Sequence, residues 1–166
     1  RIVEDARRSL KRFHVDQWQG EYPNEQVFLA DMARGECFAV THGGEVAAVF
    51  VLSTLEQENY AKITDGKWTA DMPYCVLHRS AVSAKYRGSG MSEFMMKCVE
   101  RQAAEGFGLR CIRVDTHRKN KAMQRLLRES GYRYRGNVLI DDAGHDPARQ
   151  AYEKILKIKN IAGGCK

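Results

Sequence analysis

No apolar run in this chain reaches the roughly eighteen residues that a membrane-spanning helix needs, and no secretory signal is expected. Internal repeats and low-complexity stretches are also missing, which excludes solenoid and fibrous architectures. Five cysteines, at positions 37, 75, 98, 111 and 165, show no metal-ligand spacing and, being odd in number, cannot all pair. No metal site is expected. Cys75, Cys98 and Cys111 sit in apolar strand or helix contexts and read as core thiols. Without a disulfide framework, the chain suits a reducing, cytoplasmic compartment. What remains is an ordinary globular composition, 43% hydrophobic and 29% charged over 166 residues, which is expected to form one domain with a full core.

The formal net charge of +6 is divided unevenly. Residues 1–78 carry a net −4 and residues 79–166 a net +10. The basic half suggests an anionic partner and the acidic half a place to steer a cationic one, although both also read as solvated faces. Interleaved aromatics and a helix-turn-helix signal are absent, so nucleic acid is not expected as a partner.

Hydrophobic periodicity gives the order of elements. Residues 2–14 form an amphipathic helix, and Pro23-Asn24 starts a second, with Asn24 as its N-cap. Two strands, Cys37–Thr41 and Val46–Ser53, flank the turn His42-Gly43-Gly44-Glu45. Residues 54–73 are polar and irregular, with isolated Tyr60, Ile63 and Trp68. A central strand, Tyr74–Val82, precedes a long helix ending near Ala104, with Met91, Phe94, Met95, Cys98 and Val99 on one apolar face. A strand from Leu109 to Asp115 then leads to a helix with Met123, Leu126 and Leu127 inward. Two last strands, near 132–140 and 149–156, are joined by Asp141-Asp142-Ala143-Gly144. The fold class is α/β, in the α+β sense of a mixed sheet flanked by helices.

The most informative stretch is Ala81-Val82-Ser83-Ala84-Lys85-Tyr86-Arg87-Gly88-Ser89-Gly90-Met91-Ser92. A strand runs through a glycine-rich turn into a helix, which leaves backbone N–H groups at the positive end of the helix dipole. That is a site for an anion, and a pyrophosphate fits it best.

These residues resemble the cofactor motif of the GNAT acetyltransferase superfamily: Arg or Gln, two residues, Gly, one residue, then Gly or Ala. Arg87 and Gly90 align with it, and the small Ser92 stands at the last position. The second half agrees, since Asn120 and Gly131 sit eleven apart within a strand, Asn, helix, Gly-Tyr segment. The resemblance covers roughly Arg34 to Leu156.

The family implies a mostly antiparallel central sheet whose fourth and fifth strands are parallel and splay apart. It implies a single N-acetyltransferase domain over residues 1–166, with the first strand of that pattern absent from this sequence. Acetyl-CoA is the expected cofactor, held by Ala81, Val82, Arg87, Gly88, Ser89, Gly90, Met91, Ser92 and Asn120. The backbone N–H at Val82 is expected to polarise the acetyl carbonyl.

One branch of the family places a glutamate where Val76 stands here, and another a histidine where His78 stands. By period-two counting His78 shares a face with Val76, Ser80 and Val82. His78 is the candidate base, a near-neutral imidazole able to deprotonate an amine, with a hydrogen-bonded structural histidine as the alternative. The tyrosine that protonates the leaving thiolate in many members is Leu127 here; Tyr132 and Tyr152 are substitutes or packed strand aromatics.

The acceptor is expected between the early helices, the long loop and the splayed strands. Trp18, Gln19, Tyr60, Trp68, Asp71 and His117 are its expected lining, and both tryptophans also read as loop anchors. The implied activity is direct transfer of an acetyl group to a small-molecule or peptide primary amine. A coenzyme A-binding sensor or interaction module with little catalysis is the alternative. The family also implies a homodimer as one open oligomeric state.

Overall fold

The computed structural model describes residues 1–69, 71–140 and 146–157. The turn read at 141–144 and Cys165 lie outside the described residues. Helix α1 (Ile2–Arg12) has Glu4 and Asp5 in its first turn and Lys11 and Arg12 in its last, the charge order that suits its dipole. Helix α2 (Glu25–Ala33) begins where the Asn24 side chain accepts from Val27 N at 3.1 Å. Strands β1 (Cys37–His42) and β2 (Glu45–Ser53) meet at Gly43 and Gly44, whose φ of +59° and +79° make the tight hairpin.

The segment that looked irregular contains a short helix, α3 (Glu58–Ala61), and a bridge from Thr64 to Asn137. Strand β3 (Tyr74–Val82) is followed by a 3₁₀ turn (Ala84–Tyr86) and helix α4 (Met91–Arg101), which ends in a π turn (Gln102–Gly106). Strand β4 (Cys111–His117), helix α5 (Lys121–Glu129) and strands β5 (Arg133–Leu139) and β6 (Ala148–Ile155) complete the order.

The strands of the described residues form one six-stranded sheet in the order β1-β2-β3-β4-β6-β5. Among the described residues only β3 and β4 run parallel; the other neighbours are antiparallel. On one face, Met95, Met96 and Val99 of α4 and Leu127 of α5 cover Phe50, Leu52, Leu77, Ile112 and Val114. Each such side chain contributes roughly 1.5–3 kcal/mol on burial. On the other face Tyr60, Val76, Val138 and Ala151 form a smaller cluster, with Ile63, Trp68 and Tyr74 packed against it.

The buried ridge of α4 differs from the expected one. Met96 lies in the core, whereas Phe94 is 52% exposed and Cys98 only half-buried. Rows 91-95-99 face the sheet, and apolar residues stand on both flanks of that ridge; the sheet covers the Met96 flank. Among the described residues no helix is long and apolar enough to cross a membrane.

Candidate active site

Strands β3 and β4 pair only through Tyr74–Cys111, Cys75–Ile112 and Val76–Arg113. Beyond those three pairs they diverge, and a cleft of about 1090 Å³ opens between them. Leu77 to Val82 line one side of it, and Val114, Asp115 and Thr116 the other. Backbone N–H and C=O groups on these inner edges have lost their strand partner and face a ligand-sized space.

A bulge shapes the β3 side. Val51 pairs with His78 and Val49 with Ala81, so Phe50 alone faces both Arg79 and Ser80. The extra residue reverses the alternation of faces. His78 therefore shares its face with Val76 and Ala81, while Val82 packs toward the α4 cluster. This corrects the regular count that grouped His78 with Ser80 and Val82. Ser83 N donates to Ala47 O at 2.8 Å. Ser83 thus faces β2, and the N–H of Val82, one residue earlier, lies on the cleft edge.

At the α4 end, Gly88 and Gly90 adopt φ of +74° and +82°. Gly90 is the N-cap and supplies no side-chain cap, so the first-turn N–H groups of the helix stay open. A Cβ built on Gly90 meets nothing within 4 Å. Backbone conformation, rather than crowding by the protein, demands glycine there, and the space above the N–H row suits a phosphate. Ser89 Oγ closes the turn on Tyr86 O at 2.7 Å, and Arg87 Nη2 reaches Asp5 O on α1 at 3.0 Å. Met91 is buried beneath the turn. Ala81, Val82, Arg87, Gly88, Ser92 and Asn120 line the cleft; Ser89, Gly90 and Met91 build the turn without lining it. Asn120 caps α5, accepting from Met123 N at 3.2 Å and donating to Gln17 Oε1 at 3.3 Å.

His78 lines the same cleft. Burial, reinforced by the neighbouring Arg79 guanidinium, pushes its pKa down to about 4. It is a neutral, weak base at pH 7 rather than the near-neutral imidazole the sequence suggested. Leu127 is fully buried. Tyr132 and Tyr152 are each 2% exposed in the core and do not line the cleft, so neither reaches a leaving group there.

Trp18, held at φ +63°, also lines the cleft, as do Tyr22, Gln17 and Asn59. The other expected acceptor residues lie elsewhere. Gln19 donates to Gln17 O at 2.9 Å, within its own loop. Tyr60 is buried behind the cleft wall, with its hydroxyl on Asp115 Oδ1 at 2.7 Å. Trp68 donates through Nε1 to Tyr60 O at 2.7 Å, and its ring covers the Arg113 guanidinium at 4.3 Å. Asp71 is exposed. His117 is buried, accepting from Lys119 N through Nδ1 at 3.1 Å, with Nε2 3.2 Å from Asp146 Oδ2. Sequence reasoning missed Asp115, Tyr22 and Arg79, all of which line the cleft. A carboxylate alternating with Arg113 on a strand carries no local signal of its role.

Residues 3–132 match the acetyltransferase (GNAT) family model. No curated protein matches the chain. A GNAT-family acetyltransferase from Streptococcus agalactiae is similar at 32% identity with a TM-score of 0.85, over 95% of this chain and 87% of that one. A second from Listeria monocytogenes, at 20% identity and a TM-score of 0.67, aligns over 93% of this chain and 86% of that one. A Bacillus subtilis acetyltransferase in complex with CoA has the same fold at 17% identity and a TM-score of 0.58, over 82% and 86% of the two chains. Match length and identity agree with the splayed strands and the glycine-capped helix: the chain belongs to the acetyltransferase (GNAT) family.

Proposed function

We propose that this protein transfers the acetyl group of acetyl-CoA to a primary amine by direct attack within a ternary complex. One observation carries this reading: the splayed edges of β3 and β4, the open helix N-terminus at Gly88–Ser92 and the Trp18–Tyr22 loop all border one cleft. Acetyl-CoA is the cosubstrate. Its pyrophosphate belongs on the open N–H groups of Gly90 to Ser92, with Arg87 nearby, and its pantetheine arm along the unpaired strand edges.

The Val82 N–H then donates to the thioester carbonyl, where negative charge builds as the amine attacks. A carbon–nitrogen bond forms, the carbon–sulfur bond breaks, and the thiolate leaves with the bonding pair. A thiol pKa of about 8.5 makes that thiolate a tolerable leaving group without a tyrosine acid. His78, neutral at pH 7, accepts a hydrogen bond from the incoming amine, and the amine's proton passes to water. Trp18 and Tyr22 offer aromatic faces to a cationic acceptor, and Asp115 a carboxylate.

The test is calorimetric titration with acetyl-CoA and with inorganic pyrophosphate, followed by thiol release over a panel of primary amines. Saturable binding of acetyl-CoA with amine-dependent thiol release is the expected result. Binding without turnover on any amine would overturn the transferase reading in favour of a coenzyme A sensor.

A further inference from the structure

The bulge in β3 rests on an arginine. Arg79 adopts φ +44°, a left-handed conformation that glycine takes readily and a residue with a Cβ disfavours. Such geometry persists inside a strand only where the surroundings over-determine it. Here they do. Arg79 Nε donates to Asp31 Oδ2 at 2.7 Å, Nη2 to Asp31 Oδ1 at 2.7 Å, and Nη1 to the Tyr22 hydroxyl at 2.6 Å. A bidentate fork fixes both the position and the plane of the guanidinium. Asp31 is 1% exposed on α2 and also takes Arg34 Nη2 at 2.5 Å. Arg34 continues to the buried Glu36 at 2.8 Å, whose carbonyl accepts Leu52 N of β2 at 2.8 Å. The clamp is thereby tied to the strand that the bulge faces.

What the bulge controls is the direction of the backbone beyond it. Leu52 N points at Glu36, away from β3, so the adjacent pair Val51–His78 is the one whose backbone groups face each other. Regular alternation from His78 would turn the amides of Ser80 and Val82 toward β2 as well. The extra residue reverses that order. Ser83 N bonds Ala47 O instead, and Val82 N–H is turned into the cleft.

We infer that Arg79 and Asp31 are positioning residues: their ion pair holds the strained bulge that aims the Val82 N–H at the reacting carbonyl. This rests on the reading above that the Val82 amide polarises the acetyl group.

The test compares Arg79→Ala with Arg79→Gly. Both remove the guanidinium, but only glycine holds a positive φ unaided. The readouts are the infrared carbonyl stretch of bound acetyl-CoA and the split between kcat and KM. In the wild type the thioester stretch should move to lower wavenumber than in free acetyl-CoA. Arg79→Ala should lose that displacement and about tenfold or more in kcat, with KM for acetyl-CoA held within about twofold. Arg79→Gly should recover most of both. Asp31→Asn, which keeps shape but loses charge, should behave as Arg79→Ala does.

Equal losses in the alanine and glycine variants would overturn the clamp, as would a folded Arg79→Ala with wild-type kcat and carbonyl stretch. A wild type that binds acetyl-CoA with no displaced carbonyl stretch would overturn the role of Val82, and the clamp's purpose with it. If Arg79→Ala does not fold, Arg79→Asn against Arg79→Gln makes the same comparison, because asparagine tolerates left-handed backbone and glutamine does not.

Discussion

The Tyr60 hydroxyl donates to the Asp115 carboxylate at 2.7 Å, joining the 54–73 segment to the splayed half of β4 across 55 residues of sequence. Asp115 lines the cleft and Tyr60 stands behind it, so the phenol fixes the orientation of a carboxylate that an acceptor amine would meet.

Tyr60→Phe should therefore act on the acceptor more than on the cofactor. Loss of a buried hydrogen bond to a charged group costs about 1.5–3 kcal/mol, readable as a lower denaturation midpoint at unchanged m-value. KM for the amine should rise several-fold while acetyl-CoA affinity by calorimetry stays put. Equal effects on both ligands would remove Asp115 from acceptor binding.

Glu153 governs the same segment from beneath. It is 1% exposed, accepts Thr69 N at 3.0 Å, and lies 3.3 Å from the Nε atoms of both Arg113 and Arg135. Arg113 is in turn sandwiched between the rings of Trp68 and Tyr74, at 4.3 and 3.9 Å. Glu153→Gln leaves two guanidiniums without that carboxylate, and should cost on the order of 3 kcal/mol. Limited proteolysis should then cut within 54–73 faster than in the wild type. An uncut segment in the folded variant would show that Glu153 does not anchor it.

Local chemistry was readable in the sequence wherever one residue decides one turn. Asn24 caps α2, Gly43-Gly44 turns the hairpin, and Gly90 opens α4, each because its own backbone or side chain supplies what the turn needs. The bulge at Arg79 was not readable, because its cause is Asp31, 48 residues away, and period-two counting assumes an unbroken ladder. Phe94 failed for a related reason: helical spacing finds an apolar ridge but not which flank the sheet covers. The splayed strands were expected from family resemblance alone, since nothing in β3 or β4 announces where pairing stops. Trp68 carried two readings, and its stacking on Arg113 favours the loop anchor.

Gly90 separates backbone conformation from ligand space. Its φ of +82° tolerates asparagine better than alanine, and beyond its two chain neighbours no residue comes within 4 Å of a Cβ there. Gly90→Asn should melt within a few degrees of the wild type, yet its side chain enters the space assigned to the pyrophosphate. Acetyl-CoA affinity should fall tenfold or more by calorimetry. Wild-type affinity in that folded variant would move the phosphate site off α4.

His78 makes stability depend on acid. Its pKa falls from 6.5 when unfolded to about 4 when folded, chiefly through burial and then through Arg79. Between those values the unfolded chain holds more protons than the folded one, so stability drops as pH is lowered through that window and is fully present above about pH 6.5. Burial also lowers the pKa of His117, which adds loss of the same sign. His78 keeps some contact with solvent, so its share is about 1–3 kcal/mol rather than the full shift. His78→Gln removes that titration while leaving His117 in place. Urea denaturation at pH 7 and pH 4.5 should show the wild type losing more stability than the variant over that interval. Parallel losses would mean that the imidazole is solvated well enough to keep an ordinary pKa, which would restore it as a near-neutral base beside the reacting amine.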